Sequence, residues 1–249
     1  MLDVCSTVQP ARASRYHVSL AVDDSEIREA QRLRHTVFAG EMGARLASVL
    51  PGHDIDLYDP FCDHLLVREL ARGEVVGTYR ILPPEAAKRV GSYYSEQEFD
   101  LTRLAFLRPR MAELGRSCVH PAHRSGAVIA RLWMGLADYM TRYGHEYIVG
   151  CASIGMADGG HVAASVYRQL AVRHLAPIEW RVTPRFRLPV EALDDGRAAA
   201  LPPLIKGYTR LGARVCGEPA WDPDFNTADL LILLPLAQLN RSYARRFMI

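Results

Sequence analysis

The sequence predicts one mixed α/β domain, and three observations carry that expectation. Strand-like and helix-like segments alternate along nearly all of its 249 residues. Hydrophobic residues make up 49% of the chain, enough for a substantial core. No internal repeat or low-complexity tract breaks the pattern. Residues 1–15 read as a flexible tail and residues 16–249 as a single domain with a C-terminal extension. The tail holds an acidic residue, no apolar centre and no cleavage pattern, so the expected location is the cytoplasm. The best apolar run, residues 230–236, is strand-sized and contains Pro235, well short of the roughly 18 residues that span a bilayer.

In order, residues 16–22 alternate as a half-buried strand does, and Asp23 with Glu26 resembles a capping box. Ile27, Ala30, Leu33, Val37 and Phe38 follow at helical spacing. Residues 65–69 and 75–82 read as a hairpin through Ala71-Arg72-Gly73. Residues 83–91 break the pattern, 93–100 read as a loop or short helix, and 112–119 as a strand closed by His120-Pro121. Residues 126–143 form a well-marked helix stopped at Gly144. A buried strand at 147–152 and a helix at 162–175 come next. After a connection punctuated by Pro177, Pro184 and Pro189, a helix at 204–211 and strands at 213–216 and 228–234 complete the chain.

Thirty Lys+Arg against 28 Asp+Glu leave a net charge of +2, which argues against a general nucleic-acid binder. Arg108, Arg110, Arg124 and Arg131 still leave room for a local basic face toward an acidic partner. The five cysteines (Cys5, Cys62, Cys118, Cys151, Cys216) are scattered and odd in number, as expected of reduced thiols.

Three constellations carry candidate chemistry. His53-Asp54-Ile55-Asp56-Leu57-Tyr58-Asp59, followed by Cys62-Asp63-His64, lacks the glycine and closing glutamate of an EF-hand. It is a solvated acidic turn or a seat for a cationic substrate. In Glu113-Leu114-Gly115-Arg116-Ser117-Cys118-Val119 an acid and a base sit inside an apolar strand, so they pair with each other or face a cleft. A cleft carboxylate with a raised pKa suits amine acylation, because an α-ammonium must lose a proton before nitrogen attacks a carbonyl. The turn His120 to Ala127 precedes a helix, where free backbone N–H groups and the dipole can receive phosphate, with Arg124 adding a bidentate contact; an ordinary connecting loop fits as well. Cys118, His120 and His123 lack zinc-ligand spacing, and no metal is expected. The P-loop, GxGxxG, HxxxxD and G-x-S-x-G patterns are absent, which removes kinase, dehydrogenase and hydrolase readings.

The element order, with a strand entering a phosphate-type turn and a long helix, resembles the GNAT acyltransferases from about Tyr16 onward. Arg34-His35-Thr36-Val37-Phe38, Asp56-Leu57-Tyr58-Asp59, Gly77 to Pro83 and Glu113-Leu114-Gly115-Arg116 are similar in kind and order to the signature of the acyl-homoserine-lactone synthases. Longer strings resemble the L-ornithine Nα-acyltransferases: Phe38 to Ala44, Cys62 to Val67, Glu113 to Pro121, Gly150 to Ser153 and Asp224 to Asp229. The resemblance implies a mixed, mainly antiparallel central sheet flanked by helices. It implies transfer of a 3-hydroxyacyl chain from acyl carrier protein to the α-amine of ornithine, giving lyso-ornithine lipid, with no resident cofactor because the phosphopantetheine arrives on the donor. The usual GNAT loop, Arg/Gln-x-x-Gly-x-Gly/Ala, here reads His123-Arg124-Ser125-Gly126-Ala127-Val128, which fits a carrier-protein donor better than acetyl-CoA.

In the implied mechanism Glu113 is the general base and no covalent enzyme intermediate forms. Backbone N–H groups near Ser117, Cys118 and Val119 stabilise the oxyanion, and His123 to Ala127 hold the pantetheine end. Arg80 and Arg116 organise Glu113 and the acidic cluster or bind the substrate carboxylate. Asp56 and Asp59 position the first helix through Arg34, beside Phe38, or receive the second ammonium of the substrate. Cys118 lacks an evident activating base and reads as core. Trp133, Leu136, Tyr147 and Ile148 line an acyl slot or are plain core. Arg124, Arg131 and Arg142 offer a docking face for the acidic carrier. The tail 239–249, with Arg241, Arg245, Arg246, Phe247, Met248 and Ile249, suits contact with the inner membrane surface or a packed terminal helix. The competing readings are a glutamine-type N-acyltransferase, an acyl-homoserine-lactone synthase and a non-catalytic acyl-carrier sensor.

Overall fold

Alternation and helical spacing place most elements, and packing sets their ends. The computed structural model describes residues 14–239 and residue 242. Its strands are β1 (Tyr16–Leu20), β2 (Asp63–Glu69), β3 (Val75–Leu82), β4 (Phe99–Asp100), β5 (Met111–Val119), β6 (Tyr147–Gly155), β7 (Thr183–Pro184), β8 (Arg214–Val215), β9 (Ala220–Asp222) and β10 (Thr227–Pro235). Its α-helices are α1 (Asp24–His35), α2 (Pro84–Val90), α3 (Ala127–Tyr143), α4 (His161–Arg173), α5 (Val190–Leu193) and α6 (Pro203–Leu211). The main sheet runs β1-β2-β3-β5-β6-β10-β8 with β9 also on β10, while β4 and β7 pair separately. Every pairing in the main sheet is antiparallel except β5 with β6. This is the mixed, mainly antiparallel sheet flanked by helices that the sequence led us to expect.

Side-chain alternation sorts residues between the two faces. Tyr79, Ile81, Ala112, Leu114 and Ala152 join Val128 and Leu132 of α3, Val166 of α4 and Ile205 of α6 in one core. On the other face Leu82, Met111, Val149, Leu231 and Leu233 pack with the 86–107 segment, and Cys118 packs with Leu33, Val37 and Phe38. Fully buried leucines such as Leu132 each contribute about 1.5–3 kcal/mol. Gly77 lets α3 lie close, since a Cβ there would meet Val128 Cγ1 at 2.4 Å.

Several local expectations need correction. Residues 83–91 do not simply break the pattern: Pro84 occupies the first helical turn, where its missing N–H costs nothing, and α2 ends at Gly91 in the left-handed region. Asp23 caps α1 as expected, accepting from the Glu26 N–H at 2.9 Å, and only the return bond is shifted by one residue, with Glu26 accepting from the Val22 N–H rather than from that of Asp23. Phe38 follows α1 in a wider turn, Thr36–Glu41, closed by the Met42 N–H to the Val37 carbonyl. The strand β9, the β4–β7 pair and the 3₁₀ run Thr102–Arg110 are too short or too irregular to leave a periodic signal. The basic C-terminal residues Arg241, Arg245 and Arg246, with Phe247 to Ile249, lie outside the described residues, as do residues 1–13 with Cys5.

Candidate active site

The site is a gap in the sheet. β5 and β6 run parallel and pair only over Met111–Tyr147, Ala112–Ile148 and Glu113–Val149. Beyond that point β6 continues beside β10 as far as Thr227–Gly155, and β5 beside β3 as far as Gly77–Val119, so the two strands part. At the parting point Gly150 has no room for a side chain, because a Cβ would lie 2.3 Å from the Leu114 carbonyl oxygen. From Leu114 on, one edge of β5 has no strand partner, which leaves backbone donors free along the gap.

A cleft of about 210 Å³ passes through this opening. On the α1 side its wall includes Phe38, Arg80, Tyr94, Glu113, Arg116 and Phe225. On the α3–α6 side it includes Tyr79, Leu114, Ile148, Ala152, Leu204 and Tyr208. The first wall is charged and aromatic, whereas the second is apolar apart from the hydroxyls of Tyr79 and Tyr208, which hydrogen-bond each other.

Glu113 is 4% exposed and faces the cleft. Its Oε2 accepts from the Tyr94 N–H at 2.6 Å, and its Oε1 from the Ser95 N–H at 2.8 Å and from the Ser95 hydroxyl. A carboxylate offers about four lone-pair positions, so one place on Oε2 remains for a substrate or water. Burial pushes its pKa up, against the pull of the Ser95 and Tyr94 hydrogen bonds and of Arg80. Of the two alternatives for Glu113 and Arg116, the cleft is the correct one, since they do not pair with each other.

Arg116 instead reaches the acidic loop through a bulge. The β3–β5 register slips so that Tyr79 opposes both Arg116 and Ser117, and Arg116 takes φ 50°. Without the extra residue Arg116 would share the Leu114 face. As it is, Arg116 contacts Asp54 and Asp56, each at 3.1 Å, and lies over the Tyr94 and Phe225 rings at 4.7 and 4.6 Å. Burial opposes its charge, but Tyr94, Asp54 and Asp56 outweigh that effect and hold its pKa high.

The acidic loop is neither a solvated turn nor a free seat for a cation. Arg34, wholly buried, contacts Asp54 at 2.8 Å through Nε, off the hydrogen-bonding angle, and Asp59 at 2.7 Å through Nη2. Arg80 contacts Asp56 at 2.7 Å and Asp59 at 3.4 Å. With Arg116 this makes three arginines against three carboxylates, and His64 beneath them is pushed down by burial and by Arg34. Burial disfavours the Asp56 charge, but Arg80 and Arg116 prevail and lower its pKa. Asp54 and Asp59 therefore brace α1 through Arg34, whereas Asp56 ties the loop to Arg80 of β3 and Arg116 of β5. Asp54, Asp56 and Asp59 are thus already matched by arginines rather than left open for a substrate ammonium.

Burial pushes the Cys62 and Cys118 thiols up to about 12 and Cys151 well above its ordinary value, so none supplies a thiolate near pH 7. Cys118 faces the α1 core and Val119 the α3 core, leaving Ser117 as the member of that trio whose residue lines the cleft. The turn 120–126 follows β5 at the mouth of the gap. Gly126 caps α3 at φ 89° and no side chain caps its first turn, so those amides stay available to an anion. His123 is held by the Tyr16 hydroxyl at 3.1 Å. Arg124 is not free for a phosphate, because it makes a bidentate pair with Glu41 at 2.6 and 2.7 Å. Ile148 lines the cleft, and Trp133 supports it by stacking on Tyr208. Leu136 packs in the α3 core and Tyr147 against the other one. Sequence reasoning missed Tyr94 and Ser95, which hold Glu113, and the pair Tyr79 and Tyr208; no periodicity marks any of them.

A sheet split around a buried carboxylate, with an amide-bearing helix terminus at its mouth, defines an acyltransferase of the GNAT class. A family model described as an acetyltransferase (GNAT) domain matches residues 33–134. The crystal structure of the AHL synthase LasI superimposes with a TM-score of 0.56 at 16% identity, covering 95% of this chain and 98% of that one. More particularly, the chain belongs to the L-ornithine Nα-acyltransferase family. It is 38% identical to the member from Rhizobium meliloti over 93% of this chain and 84% of that protein. It is 39% identical to the member from Rhodobacter capsulatus over 92% and 93%.

Proposed function

We propose that this protein transfers a long 3-hydroxyacyl chain from the phosphopantetheine of acyl carrier protein to the α-amine of L-ornithine, giving lyso-ornithine lipid. The observation that carries this reading is the single cleft joining two unlike walls through the β5–β6 gap, with Glu113 between them. The apolar wall of Leu114, Ile148, Ala152 and Leu204 suits an acyl chain, and the charged wall suits an amino acid. The family membership supports ornithine as the acceptor.

The chemistry then follows from the residues. Glu113 takes a proton from the α-ammonium, directly or through water, and the freed nitrogen attacks the thioester carbonyl. The carbon–nitrogen bond forms, the carbon–sulfur bond breaks, and the pantetheine thiolate leaves with a proton while a second proton passes to solvent. Unpaired N–H groups on the β5 edge stabilise the oxyanion as it develops. The buried thiols take no part, so the transfer is direct. The amides of the α3 N-terminus suit the pantetheine phosphate. Arg131 and Arg142 on α3, with Arg124 once released from Glu41, suit an acidic carrier. Among the described residues no helix is long and apolar enough to cross a membrane. The proposed reaction has the enzyme meet its carrier-protein donor in the cytoplasm and deliver its product to the inner membrane surface.

The test mixes purified protein, 3-hydroxyacyl carrier protein and single amino acids, following thiol release and N-acyl products by mass spectrometry. Ornithine-dependent amide formation is expected. An amide of a different amino acid would redirect the acceptor, and thiol-neutral binding without turnover would overturn the reading in favour of a sensor.

A further inference from the structure

The cleft borders two sets of carboxylates, and one set is neutralised. Asp54, Asp56 and Asp59 are matched by Arg34, Arg80 and Arg116. The second set is Asp222 on β9, Asp229 on β10 and Glu98 just before β4. Asp222 and Asp229 line the cleft at 5% and 3% exposure.

Nothing cationic among the described residues forms an ion pair with this second set. Asp229 Oδ1 accepts from the Thr227 hydroxyl at 2.9 Å, and Ser153, opposite it on β6, also favours its charged form. Asp222 Oδ1 accepts from the backbone N–H groups of Asp224 and Phe225 at 2.8 and 3.0 Å. No described residue donates to its Oδ2, which is not among the sealed polar atoms that lack a partner and so opens onto the cleft that Asp222 lines. The neighbours deepen the imbalance. Burial and then Asp222 push Asp229 up to about 6, with Arg116, already held by two carboxylates, as the one cation acting on it. Burial, Asp222, Asp229 and Asp224 push Glu98 up to about 7. Buried carboxylates without a counter-charge are costly, and a bound cation relieves that cost where a neutral ligand cannot.

The position fits the reaction. Cys151 donates to the Ser95 hydroxyl, which holds Glu113, and the same thiol feels the charges of both Asp229 and Glu113. The base and the carboxylates without a cationic partner thus lie on either side of one residue that lines the same cleft. We propose that Asp222 and Asp229 bind the side-chain ammonium of the acceptor and so select a diamino acid over a neutral one. This rests on the amino-acid acylation reading above and replaces Asp56 and Asp59 in that role.

The test compares L-ornithine with L-norvaline, which has the same carbon chain without the terminal ammonium, in the wild-type protein and in Asp229→Asn, Asp222→Asn and Asp229→Glu. With one acyl donor, kcat/KM for ornithine falls about tenfold or more in the Asn variants, mostly through KM, while norvaline stays within about threefold. Asp229→Glu recovers part of the preference. Equal losses for both substrates, or no ornithine preference in the wild type, would overturn the inference. Calorimetry with the two amino acids keeps it separate from the acylation reading. If no amide forms but ornithine binds and Asp229→Asn weakens it about tenfold against unchanged norvaline, the subsite stands and the reaction fails; equal binding of both removes the subsite.

Discussion

Three donors and a low-dielectric wall hold Glu113 in place, and each can be altered separately. Ser95→Ala removes a hydroxyl that stabilises the charged form, so the pKa of Glu113 rises. The acid limb of kcat/KM should move up by about one pH unit, read from a pH–rate profile. Glu113→Gln should lower kcat by about 10²–10⁴-fold. It also turns an amide N–H toward the Tyr94 or Ser95 N–H, so a loss of about 1–3 kcal/mol should appear in urea unfolding. Arg34→Met strands Asp54 and Asp59 and should cost about 3–5 kcal/mol by the same measurement. Glu113 was legible in the sequence because a charge inside an apolar strand must be paired or face a cleft. Arg34 was not legible by spacing, since its partners come from a loop at residues 54–59, and its assignment leaned on family resemblance. Ser95 had no signal, because a serine in an irregular turn looks the same whether or not it holds a carboxylate.

At the scale of elements, the parting of β5 from β6 creates the site, and Gly150 makes it possible. Gly150→Ala forces a Cβ against the Leu114 carbonyl. It should cost about 1–3 kcal/mol in urea unfolding and depress turnover along with stability. The bulge at Arg116 is the second device, since it puts an arginine beside the acidic loop without turning Glu113 away. The helices α1 and α3 were visible in the sequence because one stripe of each is buried and the period survives, whereas β2, β3, β5 and β6, largely buried, showed as short apolar runs bounded by turn residues. The splay was not visible, because strand separation leaves the pattern within each strand intact. The prolines near α2 read as breakers although Pro84 in the first turn favours a helix, and β9 is too short for any period to register.

For the molecule as a whole, pH separates the two carboxylate sets. Asp229 has a folded pKa of about 6 against roughly 3.9 when free. The folded state therefore holds the proton more tightly, and the associated stability is present below about pH 4 and lost as pH rises to about 6. Asp56, with a lowered pKa, works in the opposite sense and loses its contribution as pH falls. Thermal melts of Asp229→Asn should match wild type near pH 4 and exceed it at pH 7, and ornithine should narrow the difference at pH 7. In the proposed reaction, acyl chain and amino acid meet across the sheet gap at Glu113. The most direct measurement is a crystal structure with ornithine and a non-transferable acyl-pantetheine analogue. The ornithine α-nitrogen should lie within hydrogen-bond reach of Glu113 Oε2, or one water away, with the chain against Leu114, Ile148 and Leu204. An acyl chain lying outside the gap, or an α-nitrogen remote from Glu113, would contradict it.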